Sequence, residues 1–112
     1  MKLLVVIPIY NEANTVGKII SDLKKIGSDT LIVDDGSTDK SREIAKKNGA
    51  ILISNDKNCG KGYSLRKGIN YALSNNYDAI IIMDGDGQHR ISDIPHFLSK
   101  DLEKYDLKRC LL

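Results

Sequence analysis

The sequence predicts an α/β fold: a three-layer α/β/α sandwich around a mostly parallel sheet. Two observations carry this. Short apolar runs alternate with stretches of helical periodicity in a β-α-β-α-β-α-β-α order, without repeat, linker or low-complexity segment. The apolar residues are mainly Ile, Leu and Val, with no Trp and one Phe, as expected of parallel strands buried on both faces. A third feature points past the fold. Every run ends in a polar cluster, and in a parallel sheet those ends share one edge, so the clusters should converge on one cleft.

Leu3 to Ile7 reads as the first strand, ended by Pro8-Ile9-Tyr10-Asn11-Glu12; Pro8 fits a strand terminus and not a central position. A helix follows over Ala13 to Ile26, with Val16, Ile19, Ile20, Leu23 and Ile26 on one face and Gly27 as its stop. Thr30 to Val33 is the second strand. It runs into Asp34-Asp35-Gly36-Ser37-Thr38-Asp39, and a helix over Lys40 to Asn48 begins within or just after that cluster. Asp39 could serve only as an N-cap, but capping does not explain Asp34 and Asp35 together, which points to a ligand at this loop.

Ala50 to Ile53 is the third strand. The polar connection Ser54 to Gly62 enters a helix over Tyr63 to Asn75 with Leu65, Ile69, Ala72 and Leu73 inward. Gly60-Lys61-Gly62 either presents backbone N–H groups and a cation to phosphate or is a flexible turn. It is not a P-loop, and the absence of Gly-x-Gly-x-x-Gly after the first strand argues against a dinucleotide cofactor. Ala79 to Met83 is the fourth strand. Ser92 as N-cap, Pro95 in the first turn and the stripe Ile94, Phe97, Leu98 and Leu102 predict a last helix to about Lys104.

The fourth strand ends in Asp84-Gly85-Asp86-Gly87-Gln88-His89. Carboxylates at the end of a buried strand are costly unless compensated. A hard divalent cation, Mg²⁺ or Mn²⁺, would compensate them, since it prefers oxygen ligands and commonly takes one or two carboxylates plus substrate phosphates. Gly85 and Gly87 leave room for a ligand to approach the backbone. The alternative is a strand ending in a plain Asp-Gly turn.

The 112 residues suit one domain, residues 1–112. With 17 basic and 15 acidic residues the net charge is +2, no electrostatic case for nucleic acid. Cys59 and Cys110 have no metal-type spacing and make no disulfide framework, so a reducing cytosol is the default. The N-terminal apolar run, interrupted by Pro8 and lacking a small-residue cleavage site, reads as a strand and not a signal peptide. No stretch reaches transmembrane length. The expected location is the cytoplasm, including the cytoplasmic face of a membrane.

Four blocks in order, Val6-Ile7-Pro8-Ile9-Tyr10-Asn11-Glu12, Val33-Asp34-Asp35-Gly36-Ser37-Thr38-Asp39, Asn58-Cys59-Gly60-Lys61-Gly62 and Met83-Asp84-Gly85-Asp86-Gly87-Gln88-His89, resemble the family 2 glycosyltransferases. The similarity is greatest to the branch around dolichyl-phosphate mannosyltransferase and related polyprenyl-phosphate sugar transferases. The resemblance implies the Rossmann-like, nucleotide-diphospho-sugar-binding half of a GT-A fold. It also implies metal-dependent, inverting transfer from a GDP- or UDP-sugar to an acceptor such as a polyprenyl phosphate. By position, Pro8, Tyr10, Glu12, Val33 and Asp35 would line the nucleotide pocket around base and ribose. Met83, Asp84, Gly85 and Asp86 would lie at the donor; Asp84 and Asp86 would hold Mg²⁺ or Mn²⁺ beside the diphosphate, with Gln88 as a further metal contact. Lys61 lies near the same loop edge, its phosphate role inferred from Gly60-Lys61-Gly62.

The matched motifs contain no general base, and an already anionic lipid phosphate reduces the need for one. In the family, relatives continue after a segment like Lys104-Tyr105-Asp106-Leu107 into an acceptor half; here Lys108-Arg109-Cys110-Leu111-Leu112 follows. The expectation is a domain truncated before that half, which a partner chain could supply. Two other readings stand beside the enzyme. One is a nucleotide-sugar-binding module, or an inactive remnant, that transfers nothing alone. The other is a phosphatase of the haloacid dehalogenase type, which also sets Asp-x-Asp-Gly after an apolar strand. That motif normally opens the chain, however, and the residues after Asp86 leave no room for its lysine and acidic loop.

Overall fold

The computed structural model describes residues 2–83 and 104–106. In chain order these form β1 (Leu3–Ile9), α1 (Val16–Lys25), β2 (Asp29–Asp34), α2 (Ser41–Lys47), β3 (Ile51–Ser54), α3 (Lys61–Ser74), β4 (Ala79–Ile82) and β5 (Lys104–Asp106). The strands make one sheet in the order β3-β2-β1-β4-β5. The first four are parallel, and β5 runs antiparallel to β4. The chain moves outward from β1 through β2 to β3, then returns to the far side of β1 for β4. The order therefore reverses at β1, the kind of point where open α/β sheets bind ligands.

The pleat divides the apolar side chains between two faces. Val5, Ile7, Ile9, Ile32 and Ile81 pack with Val16, Ile19, Ile20 and Leu23 of α1 and Ala45 of α2. Leu4, Val6, Leu31, Val33 and Ile80 pack on the other face with Ala72 of α3 and with Tyr77. Leu4 to Ile7 and Leu31 to Val33 are completely buried, so the central strands read as continuous apolar runs. Each such aliphatic side chain gains roughly 2 kcal/mol from leaving water.

Element bounds shift for identifiable reasons. α1 begins at Val16, not at Ala13, because residues 12–15 form a turn in which the Glu12 carbonyl accepts from Thr15 N (3.1 Å) and Val16 N (3.0 Å). Ile26, expected inward, lies just past the helix and is 44% exposed. α3 starts at Lys61, two residues before the expected Tyr63, and its deepest stripe is Ser64, Gly68 and Ala72. Leu65, Ile69 and Leu73 are only partly buried beside that stripe. The small residues let the helix backbone come close to the sheet: a Cβ added at Gly68 would stand 2.5 Å from Val6 Cγ1.

β5 is not among the elements expected from the sequence, which predicts a helix to about Lys104. Residues 104–106 are instead a short edge strand, paired as Ala79↔Asp106, Ile80↔Tyr105 and Ile81↔Lys104. Three residues without apolar alternation carry no periodic signal. The expected helix before it, from Ser92 through Leu102, lies outside the described residues.

Candidate functional site

The register places three strand ends side by side. Ile9 of β1 stands opposite Asp34 of β2, and Asp34 stands opposite Ser54 of β3. β4 stops lower, with Ile82 opposite Val6, and Met83 N adds a bond to the Val6 carbonyl (3.1 Å).

Above the ends of β2 and β3, two adjacent carboxylates hold the loops. Asp34 is completely buried. Its Oδ2 accepts from Arg42 Nε (2.5 Å) and Ser37 N (3.1 Å), while Arg42 also donates to the Asn55 carbonyl (3.4 Å). Asp35, 5% exposed, points to the next loop. Its Oδ1 accepts from Asn55 Nδ2 (2.9 Å) and Cys59 N (2.7 Å), and its Oδ2 accepts from Gly60 N (2.9 Å). Burial alone would raise the pKa of Asp35. The donors of Cys59, Asn55, Gly60 and Ser64 outweigh it and hold the carboxyl below its ordinary value. Gly36, at φ 79, makes the close approach possible: a Cβ there would lie 2.5 Å from the Lys57 backbone carbon. Asp34 Oδ1 and Asn55 Oδ1 are buried without a hydrogen-bond partner among the described residues.

A second set of bonds ties the loop after β1 to the loop after β2. Asn11 sits at φ 53, a left-handed conformation that Asn tolerates. Its Oδ1 accepts from Thr38 N (2.8 Å) and Asp39 N (3.3 Å). Three consecutive backbone N–H groups then donate across the gap: Asn11 N to Ser37 Oγ (2.9 Å), Glu12 N to Ser41 Oγ (2.9 Å) and Ala13 N to Asp39 Oδ2 (3.2 Å). Asp39 Oδ1 accepts from Ser41 Oγ (2.5 Å) and Ser41 N (2.9 Å). The Ser41 hydroxyl is the main reason that the Asp39 pKa lies below its ordinary value.

The residues expected at the site divide into four groups. Tyr10 (45% exposed) and Glu12 follow β1, and Lys61 opens α3; Pro8, read as ending the first strand after Ile7, instead lies inside β1, which runs on to Ile9 with Pro8 opposite Val33. Asp35 lies at the same edge, with its carboxylate committed to the Asn55–Gly60 segment. Val33 and Met83 are core residues, 0% and 1% exposed. Asp84, Gly85, Asp86 and Gln88 lie outside the described residues. Sequence reasoning gave no role to Asn11, Ser37, Ser41, Arg42, Asn55 or Ser64, although Asn11 and Ser37 lie inside the quoted motifs. A cavity of about 310 Å³ lined by Lys24, Asp29, Gly49 and Ile51 opens at the N-terminal ends of β2 and β3, away from this convergence.

Comparison with known proteins gives a consistent result. The chain matches the model of glycosyl transferase family 2 over residues 4–107. It is 41% identical over 105 residues to an uncharacterized protein of Methanocaldococcus jannaschii, covering 88% of this chain and 46% of that protein. It is 31% identical over 106 residues to undecaprenyl-phosphate mannosyltransferase of Micrococcus luteus, covering 88% and 43% respectively. Its fold is similar to that of glucosyl-3-phosphoglycerate synthase from Mycobacterium tuberculosis, solved in complex with Mn²⁺, UDP and glucosyl-3-phosphoglycerate; the TM-score is 0.75 at 22% identity, covering 90% of this chain and 39% of that one. The chain thus spans less than half the length of these relatives.

Proposed function

The chain belongs to glycosyl transferase family 2, and from that premise we propose that it binds a nucleotide-diphospho-sugar as the donor part of a glycosyltransferase. The observation that carries this reading is the convergence of three loops at the C-terminal edge of β1, β2 and β3, next to β1's other neighbour, β4. Tyr10 and Glu12 from the first loop and the Asp35 region from the second meet base and ribose. The start of α3, with Lys61 and its backbone N–H groups, faces the diphosphate, since a helix N-terminus favours an anion.

Among the described residues no group of three His, Cys, Asp or Glu could hold a metal. Asp84, Asp86 and Gln88, which follow Met83, offer two carboxylates and an amide oxygen, a donor set that fits a hard cation such as Mg²⁺ or Mn²⁺. When bound, the cation supplies Lewis-acid stabilisation of the charge that develops on the departing nucleotide diphosphate. The acceptor class is a polyprenyl phosphate, supported by the Micrococcus luteus relative's name. Transfer to such a lipid would take place at a membrane face. Among the described residues no helix is long and apolar enough to cross a membrane.

A thermal-shift panel of UDP, GDP and their sugar conjugates, with and without Mn²⁺, tests the donor site on the wild type and on Asp86→Ala. A ligand that binds only the folded state raises the melting temperature. The expected result is a Mn²⁺-dependent rise for one nucleotide that Asp86→Ala loses. A cooperatively melting wild type that responds to none of them would sink the donor reading.

A further inference from the structure

Resting on the donor-binding reading, we propose that Asn11 is a positioning residue for nucleoside recognition, its side chain locking the loop after β1 onto the loop after β2. Tyr10 and Glu12 belong to one loop and Asp35 to the other. A nucleoside held from both sides is bound well only if their spacing is set beforehand. The strands fix that spacing only as far as Asp35 N, which donates to the Ile9 carbonyl (2.9 Å). Beyond that point the connection is made by side chains. The Asn11 amide oxygen gathers Thr38 N (2.8 Å), Asp39 N (3.3 Å) and Thr38 Oγ1 (3.4 Å).

The left-handed turn at Asn11 (φ 53) then aims three successive N–H groups, of residues 11 to 13, at Ser37, Ser41 and Asp39. Asn suits both demands. Its backbone adopts this φ with little strain, and its amide oxygen reaches back to two backbone donors. Gly would satisfy the first demand only. Tyr10 and Glu12 flank this anchor, so releasing it frees both without touching the start of α3. The clasp should therefore govern affinity for the nucleoside part of a donor and leave affinity for its diphosphate part alone.

The experiment is calorimetric titration of the full chain with UDP, GDP and, as a probe lacking the nucleoside, inorganic pyrophosphate, each with Mn²⁺. The wild type is compared with Asn11→Gly, Asn11→Asp and Ser37→Ala. Asn11→Gly keeps the turn and deletes the amide; it should weaken the preferred nucleotide about tenfold, the loss of roughly one well-formed hydrogen bond's worth of preorganisation. Pyrophosphate affinity should stay within about twofold of the wild type. Asn11→Asp restores an acceptor oxygen and should recover most of the nucleotide affinity. Ser37→Ala, a milder change that keeps Asn11, should give a smaller loss with the same selectivity, and combined with Asn11→Gly it should add little.

Nucleotide binding by Asn11→Gly equal to that of the wild type would overturn the role of Asn11 while leaving the donor reading intact. Parallel loss of nucleotide and pyrophosphate would overturn it too, by showing a general structural defect. A folded wild type that binds neither UDP nor GDP would sink the donor reading and this proposal with it.

Discussion

Replacing Asp35 by Asn isolates the carboxylate that ties β2 to the start of α3. The side chain is 5% exposed and accepts three bonds of 2.9, 2.7 and 2.9 Å. An Asn of the same shape can keep its oxygen toward Asn55 and Cys59, but its NH₂ then meets the Gly60 N–H, donor against donor. Flipping the amide sets NH₂ against two donors instead of one. Bonds to a charged acceptor contribute about 1.5–3 kcal/mol each. Cys59 is exposed and Gly60 only partly buried, so water can replace part of what is lost there. The expected cost is about 2 kcal/mol, or a fall in Tm of roughly 8 °C for a domain of this size. Urea unfolding monitored by circular dichroism, with an unchanged m-value, measures it.

The pH dependence sharpens the test. The folded pKa of Asp35 lies below its ordinary 3.8. Its stabilisation is therefore present above that value and is lost as pH falls through the lower folded pKa. The gap between wild type and Asp35→Asn should be widest at pH 5–7, narrow as pH falls below 3.8, and close below the lower folded pKa, where a protonated Asp35 faces the same donor conflict as Asn. A gap below about 0.5 kcal/mol at pH 7, or one that stays constant down to pH 3, would refute the reasoning.

Three further outcomes follow from the packing. Gly68→Ala gains about 1 kcal/mol of helix propensity, but its Cβ would lie 2.5 Å from Val6 Cγ1 in the core; overpacking costs about 1–3 kcal/mol. A net loss of about 1 kcal/mol in chemical denaturation is expected, partly relieved in a Val6→Ala background. Arg42→Ala strips the guanidinium from a carboxylate that is 0% exposed and should cost about 3 kcal/mol; adding Asp34→Asn should restore part of that in the same denaturation assay. Burial, with the hydrogen bond to Asp29 Oδ2 (2.8 Å), pushes the Tyr77 pKa up to about 12 from 10.0. Its neutral hydroxyl stabilises the fold fully below pH 10 and loses that contribution as pH rises through about 12. Tyr77→Phe should therefore cost about 1 kcal/mol at pH 7, and the gap from wild type should narrow above pH 10 in melts across that range.

The fold was legible because burial on both faces leaves a strong trace. Leu4 to Ile7, Leu31 to Val33 and Ile80 to Ile81 are all apolar and almost fully buried, and the helices between them show the period of 3.6. The boundaries blurred where the backbone leaves the repeating pattern for side-chain bonds, as at residues 11–15 before α1. The inward face of α3 was misjudged for a related reason. A helix that packs closely on a sheet turns its smallest residues to it, Ser64, Gly68 and Ala72, and a hydrophobicity pattern gives those little weight.

The polar clusters were legible as a place and only partly as roles. The chain order βαβ and the loop composition are enough to put Tyr10, Glu12, Asp35 and Lys61 near one edge. They do not say what each carboxylate touches, because that depends on contacts between loops distant in sequence. Asp34 and Asp35 read from the sequence as a ligand pair; Asp34 ends β2 and Asp35 follows it, so the two turn to different partners, one to Arg42 and the other to Asn55, Cys59 and Gly60. Their burial is compensated by the scaffold. The scaffold also uses Ser37 and Asp39 of the same cluster, with Ser41 at the start of α2, to hold the Asn11–Ala13 segment. A motif that resembles a ligand-binding loop thus spends most of its polar atoms on fixing three loops against one another. Preorganisation of this kind is what a site needs if a flexible nucleotide is to bind without a large ordering cost. The positions that contact a ligand and the positions that hold them still are intermixed along the chain, and only the hydrogen-bond pattern separates them.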